Sequence, residues 1–190
     1  MKNIAIFASG SGTNAENLIK HFEKTSTAKV IILLSNNLNA FALERARRLN
    51  VPSITFTREQ FYQKEMILDV LQEHKIDLIV LAGFLWLIPQ YLTKNYPSQI
   101  VNIHPALLPK YGGKGMYGMH VHEAVIANQE VESGITIHFV NDQYDAGSII
   151  FQAKVGLAAN ETPDSLAEKI HILEQVHFPS VVEKVLKELP

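Results

Sequence analysis

Apolar residues along the chain fall in short unbroken runs separated by stretches with helical spacing. Ile4 to Ala8, Lys29 to Leu34, Pro52 to Phe56, Leu78 to Ala82 and Ile100 to His104 read as strands. Asn14 to Lys24, Ala40 to Leu49 and Arg58 to His74 read as helices between them, the last marked by Phe61, Met66, Leu68, Val70 and Leu71. A strand covered on both faces has no polar side to alternate with, so continuous apolar strands between helices predict a parallel sheet sandwiched by helices. The second half changes character. Gly112, Gly113, Gly115 and Gly118 mark an irregular stretch, and His120 to Asn128 suits a helix. Ser133 to Val140 and Ser148 to Val155 are strand-like runs joined by a polar loop. Thr162 as N-cap and Pro163 at the first helical position start a final helix, with a break expected near Pro179. The pattern predicts an α/β fold: an open, mostly parallel sheet flanked by helices, with an antiparallel C-terminal part. No repeat, low-complexity segment or linker interrupts it, so residues 1–190 are expected to form one domain.

Composition narrows the function classes. Nearly half of the 190 residues are apolar (47%), enough for a sizeable core, and 17 basic against 19 acidic residues argue against a broad nucleic-acid surface. With no cysteine, disulfides, thiolate nucleophiles and cysteine metal sites are excluded. Met1 to Ala8 is too short for the apolar region of a signal peptide, and the longest apolar run, Leu78 to Ile88, falls short of the roughly 20 residues of a membrane span. A soluble, cytoplasmic protein is expected, with no membrane partner.

Asn102 and His104 end an apolar strand that Pro105 stops, and residues two apart in a strand project to one face. An amide donor beside a titratable imidazole suits a developing oxyanion, and ligands of open α/β sheets bind beyond the carboxyl ends of the strands. A hydrogen-bonded core histidine is the plainer alternative. Ser9 to Asn14 is glycine-rich and opens the first helix, where backbone N–H groups and the helix dipole favour an anion. It lacks the Gly-Lys-Ser/Thr of a P-loop and has Ala15 where the dinucleotide fingerprint has its third glycine, so a tight turn with a Ser or Thr cap competes with an anion site. Asp145 is either a solvated turn former, like Asp142, or a partner that reaches His104, favours the imidazolium and raises its pKa. His138 shares a face with Thr136 and Val140, as a buried structural histidine or a neighbour of the site. His120 and His122 lack a third ligand at suitable spacing and read as the start of a helix; no metal is expected. His21, His74, His171 and His177 sit in helical patterns and read as surface or packing residues. Trp86 reads as core, or as part of strand-end backbone that meets a flat ligand.

Taken together, Ser-Gly-x-Gly-x-Asn after the first strand, Ala82-Gly83-Phe84, Asn102-Ile103-His104-Pro105-x-Leu107-Leu108-Pro109 and Asp145-x-Gly147 resemble, in order and interval, the phosphoribosylglycinamide formyltransferase family. The likeness spans essentially the whole chain. It implies a Rossmann-like sheet, with residues 1–100 as a phosphate-binding half and 101–190 as a catalytic and folate-binding half. It implies transfer of a formyl group from 10-formyltetrahydrofolate to the amine of glycinamide ribonucleotide in purine biosynthesis. These are two small-molecule substrates, with no nucleic acid and a monomer or homodimer. The attacking amine makes a serine or cysteine nucleophile unnecessary. Carried over residue by residue, the resemblance gives Asn102 and protonated His104 as donors to the oxyanion, with His104 as general acid. Asp145 holds the imidazolium and organises a water. Gly12, Thr13 and Asn14 take the phosphate, and Glu174, with His171 one turn before it, takes the ribose hydroxyls. Arg58, Leu85, Trp86, Leu87 and Ile88 line the folate site together with Asn102, closed on its other side by Asn141, Asp142, Gln143, Tyr144 and Asp145. Trp86 stands where many members carry a basic residue, Gly112-Gly113 where a proline-glycine pair is common, and Ser148 where proline is frequent.

The nearest alternatives use the same chemistry: 10-formyltetrahydrofolate hydrolase, methionyl-tRNA formyltransferase or a sugar-nucleotide formyltransferase. Chain length and the lack of basic charge count against the tRNA enzyme, and a core beginning at Lys2 counts against the hydrolase. A non-catalytic nucleotide- or folate-binding module gives no reason for Asn102, His104 and Asp145 to coexist.

Overall fold

In the computed structural model, which describes residues 1–63 and 66–189, seven strands form one mixed sheet. In chain order they are β1 (Lys2–Phe7), β2 (Ala28–Ser35), β3 (Ser53–Thr55), β4 (Leu78–Leu81), β5 (Ile100–His104), β6 (Glu132–Phe139) and β7 (Ile149–Gly156). Their order across the sheet is β3-β2-β1-β4-β5-β6-β7, parallel through β5 and antiparallel for β6 and β7. The helices are α1 (Thr13–Thr25), α2 (Phe41–Arg48), α3 (Arg58–Tyr62), α4 (Met66–Glu73), α5 (Gln90–Asn95), α6 (Met119–Ala127) and α7 (Pro163–Glu188).

Period-two alternation explains why the strands look apolar throughout. Ile4 and Ile6 of β1 enter one core with α1, α2, α6 and α7, whereas Ala5 and Phe7 enter a second core with α3, α4 and α5. In β4, Leu78 and Val80 divide from Ile79 and Leu81 in the same way. Both faces of these strands are buried, as a helix-covered parallel sheet requires.

The chain runs outward from β1 to β2 and β3, then returns to place β4 on the other side of β1. That reversal opens a crevice at the carboxyl ends of β1 and β4, where doubly wound sheets bind ligands. The loops that leave the two strands are tied together there. Ser9 N–H donates to the Gly83 carbonyl (3.0 Å), and Leu85 N–H donates to Ser9 Oγ (3.0 Å).

Two helix expectations need correction. The single helix expected over 58–74 is two helices, α3 and α4. Gln63 is the C-cap of α3, its N–H donating to the Glu59 carbonyl; residues 64 and 65 lie outside the described residues. The final helix does not break at Pro179: α7 runs 26 residues straight through it. Proline removes the donor that the Gln175 carbonyl needs. Asn17 of α1 supplies another, its side-chain amide donating to that carbonyl at 2.9 Å. Burial of Pro179 and Phe178 against the first core holds the segment in place. The N-terminus of α7 is as expected, with Thr162 Oγ1 accepting from Ser165 N–H (3.1 Å) and Ser165 Oγ from Thr162 N–H (3.0 Å).

If Asn17 substitutes for the missing helical donor, Asn17→Ala lowers unfolding free energy by about 1 kcal/mol. Restoring a backbone N–H with Pro179→Ala makes that loss smaller in the double variant. Urea denaturation of the four-member cycle checks this; additive costs contradict it.

Candidate active site

The crevice widens into a cavity of about 720 Å³. Strand β5 delivers Asn102 and His104 to it, both from the carboxyl end and on one face, as the spacing predicts. The antiparallel register sets His138 of β6 opposite Asn102 and Thr136 opposite His104. Thr136 is fully buried and fixes the segment after β5: its Oγ1 donates to the Ala106 carbonyl (2.7 Å) and accepts from Leu108 N–H (3.0 Å).

Asp145 reaches both strands from the loop between β6 and β7. Its Oδ1 accepts from Asn102 Nδ2 (3.4 Å) and lies 3.6 Å from His138 Nε2. Its Oδ2 accepts from Gly113 N–H (2.9 Å) and lies 3.6 Å from His104 Nδ1. The 3.6 Å contacts are electrostatic rather than hydrogen bonds. Close packing makes the approach possible. A Cβ on Gly147 would stand 1.7 Å from the Phe139 carbonyl oxygen, and one on Gly112 would stand 3.2 Å from Asp145 Cβ. Asp145 itself has φ 52°, a left-handed backbone that aspartate tolerates better than most residues.

The remaining bonds assign protons. His104 Nε2 lies 2.7 Å from the Tyr111 carbonyl and His138 Nδ1 2.8 Å from the Phe139 carbonyl. Carbonyls only accept, so those nitrogens carry hydrogen. His138 Nε2 is then free to accept from Asn102 Nδ2 (3.1 Å). Both N–H bonds of the Asn102 amide thus have acceptors within the protein, His138 and Asp145. His104 faces an acceptor at each nitrogen, a setting built for the imidazolium.

Burial opposes that charge. His104 is 3% exposed, and burial pushes its pKa below 6.5 although Asp145 and the Tyr111 carbonyl pull it upward and His138 adds to the fall. The expectation that contact with Asp145 raises the His104 pKa is therefore corrected: the contact has the expected sign, and desolvation outweighs it. Burial pushes Asp145 upward too, but His138, His104 and the Gly113 N–H together hold it below its ordinary value, so the carboxylate is ionised.

The other end of the cavity is the glycine loop. Gly12, with φ 74°, is the N-cap of α1 and makes no side-chain cap bond, so the reading as a Ser- or Thr-capped turn does not hold. The N–H groups of Ser11 to Asn14 have no acceptor among the described residues and line the cavity. The loop is pinned by α2: Ala42 N–H donates to the Gly10 carbonyl (3.1 Å), and Arg45 Nε donates to the Ser11 carbonyl (2.8 Å). Helix α7 adds Glu174, whose Oε2 accepts from Asn14 Nδ2 (2.9 Å) and lies 3.7 Å from His171 Nδ1. Burial raises the Glu174 pKa, against the pull of Asn14 and His171. His171, read in the helical pattern as a surface or packing residue, lines this cavity. An anion held by backbone N–H groups beside a carboxylate that accepts two O–H bonds fits a sugar phosphate.

The expected folate wall is divided. Leu85, Tyr144 and Asp145 line the large cavity, but Arg58, Trp86, Leu87, Ile88, Asn141, Asp142 and Gln143 do not. Trp86 packs against Phe56, Phe61, Tyr62 and Phe84, and the Arg58 guanidinium lies over the Tyr62 and Trp86 rings (5.2 and 5.5 Å). The Leu87 carbonyl accepts from the Tyr62 hydroxyl (2.8 Å), and Ile88 is buried in the second core. Asn141 and Asp142 border a neighbouring cavity of about 380 Å³, and Gln143 N–H donates to Asn141 Oδ1 (3.0 Å).

Other residues in and beside the cavity were left open or unassigned by the sequence. His138 was open between two roles, and antiparallel pairing decides that it is both buried and beside Asn102. His122 is 5% exposed, lines the cavity, and has a buried Nδ1 with no partner among the described residues; burial and His104 both lower its pKa. Lys114, Met116 and Tyr117 also line the cavity, marked in sequence only by their glycine neighbours. Among the described residues no three His, Cys, Asp or Glu side chains are grouped to hold a metal ion, and no helix is long and apolar enough to cross a membrane.

Comparison with known proteins gives a family and a fold. The family described as formyl transferase matches residues 2–182. The chloroplastic phosphoribosylglycinamide formyltransferase of Arabidopsis thaliana is 37% identical over 98% of this chain, which spans 66% of that relative, just under two thirds of its length. The phosphoribosylglycinamide formyltransferase of Bacillus subtilis is 34% identical over 98% of this chain and 95% of its own. The crystal structure of glycinamide ribonucleotide transformylase 1 from Geobacillus kaustophilus superposes with a TM-score of 0.89 at 35% identity, covering 98% of this chain and 99% of that one.

The opposing forces on His104 give a signed expectation. Burial leaves its pKa below the ordinary histidine value, and an NMR titration of the free protein shows a lowered midpoint. Asp145→Asn removes an upward pull and lowers that midpoint further. An unmoved midpoint in the variant contradicts the coupling.

Proposed function

The chain belongs to the formyl transferase family, and on that premise we propose that it transfers a formyl group from 10-formyltetrahydrofolate to the terminal amine of glycinamide ribonucleotide, a step in purine biosynthesis. The observation that carries this reading is one cavity with two chemistries: unpaired N–H groups with Glu174 at one end, and Asn102, His104 and Asp145 at the other. The first suits a ribose phosphate. The second suits a tetrahedral oxyanion and a proton transfer.

The amine nitrogen bonds to the formyl carbon, the bond from that carbon to the folate nitrogen breaks, and the proton lost by the amine ends on the folate nitrogen. The formyl oxygen carries negative charge between the two events. Asn102 turns an N–H to it in exchange for the long 3.4 Å bond to Asp145. His104 Nε2 donates to it in place of the Tyr111 carbonyl. As charge grows on the oxygen, the imidazolium becomes easier to form, and Asp145 Oδ2 faces its other nitrogen. Asp145 also organises the water that carries the proton. Gly12, Thr13 and Asn14 bind the phosphate, and Glu174 with His171 holds the ribose. Leu85 and the loop from Asn141 to Asp145 enclose the pterin, with Arg58 and Trp86 to Ile88 forming the outer part of that wall. We read residues 1–190 as one domain, and the enzyme as cytoplasmic with no nucleic-acid or membrane partner.

Incubation of purified protein with glycinamide ribonucleotide and a 10-formyl folate tests the reading. Formyl appears on the amine as it leaves the folate; formate release without acceptor formylation sinks the assignment in favour of a hydrolase. Asn102→Ala and His104→Ala each lower turnover by about 10²–10³, the loss typical of one oxyanion donor, with the fold retained by circular dichroism. Unchanged turnover in both rejects the oxyanion assignment.

A further inference from the structure

The cavity has a charge problem that its assigned residues do not solve. It carries carboxylates at both ends, Asp145 and Glu174, and the substrate brings a phosphate. A helix N-terminus offers only about half a positive charge. Arg45 touches the glycine loop but is committed to the Glu16 carboxylate and the Ser11 carbonyl. His104 and His122 are both pushed toward the neutral form by burial. Among the described residues Lys114 is the one lysine or arginine in the cavity wall. It is exposed, with no hydrogen bond or ion pair among the described residues.

Its setting gives it reach. Lys114 stands between Gly113 (φ 96°) and Gly115 (φ 90°), and a Cβ on either would meet nothing within 4 Å. Glycine is needed there for backbone conformation, not for lack of room. Tyr111 and Met116, on either side, pack against the core shared with α1 and α7. That is the face of the phosphate loop and Glu174; the expected folate wall at Trp86 and Ile88 belongs to the opposite core.

We propose that Lys114 is a substrate-binding and specificity residue whose ammonium pairs with the phosphate of the ribonucleotide, completing the neutralisation that the N-terminus of α1 begins. This rests on the functional reading above and adds a residue to it. The segment from Gly112 to Gly118, which the sequence marks only as irregular, is then the arm that carries the cation. The glycines let the ammonium follow the anion as it enters, and the charge-assisted contact discriminates substrates that carry a phosphate from those that lack it.

Steady-state kinetics and calorimetry on Lys114→Ala and Lys114→Arg decide the matter. The alanine variant raises KM for glycinamide ribonucleotide about tenfold, with KM for the formyl folate moving less than twofold; the arginine variant recovers most of the loss. Wild-type protein prefers the ribonucleotide to the dephosphorylated glycinamide riboside, and Lys114→Ala narrows that preference by the same factor. Calorimetry with ribose 5-phosphate shows a matching fall in affinity without any turnover. A ribonucleotide KM unchanged in Lys114→Ala overturns the proposal, as does a rise confined to the folate, which assigns the lysine to folate carboxylates instead. A wild type that binds ribose 5-phosphate through Lys114 but formylates no ribonucleotide sinks the functional reading and leaves the lysine assignment standing.

Discussion

The Asp145 carboxylate is the interaction on which the site depends. It is an ionised group in a mostly buried place, accepting from Asn102 and Gly113, with two histidines 3.6 Å away. A buried charge stripped of such partners costs several kcal/mol, so the carboxylate and its neighbours hold one another in position. Through Oδ1 it fixes the end of β5 against β6, and through Oδ2 it fixes the glycine segment against the loop that bears it. The left-handed backbone at Asp145 and the tight approach of Gly147 to Phe139 are the local cost of that placement.

The rest of the architecture brings other loops and helix ends to the same cavity. The reversal between β1 and β4 leaves two loops side by side, and Ser9 stitches them together through Gly83 and Leu85. The switch to antiparallel pairing after β5 supplies His138 and Thr136, which a further parallel strand would not have set opposite Asn102 and His104. Helix α7 closes the glycine-loop end of the cavity. Its proline frees the Gln175 carbonyl for Asn17, and the adjacent Glu174 meets Asn14 one turn earlier on α1. A residue that normally breaks helices therefore helps to join the C-terminal helix to the anion loop.

Much of this was legible in the chain. Strands buried on both faces announce themselves as apolar runs, so the sheet and most helix limits followed from pattern alone. Asn102 and His104 were visible because they are two apart at a strand end that proline stops. Asp145 was visible only as one of two aspartates in a polar loop, since its value lies in contacts across 41 to 43 residues of sequence that spacing does not encode. His138 needed the antiparallel register, and Lys114 the cavity wall. The Pro179 break was a misreading for a physical reason: proline propensity describes an isolated helix, and a neighbouring helix supplied the missing bond. The sign of the His104 shift was misread because the pairing with Asp145 is local and nameable, whereas desolvation sums over everything that buries the ring.

The central claim is that Asp145 works through His104 rather than beside it. A double-mutant cycle on kcat/KM for formyl transfer, with Asp145→Asn, His104→Ala and the two combined, tests it most directly. Residues acting as one unit lose their function once, so the combined variant should fall within about threefold of the worse single variant. A combined loss equal to the product of the two separate losses would show that the carboxylate and the imidazole act independently, and would contradict the account.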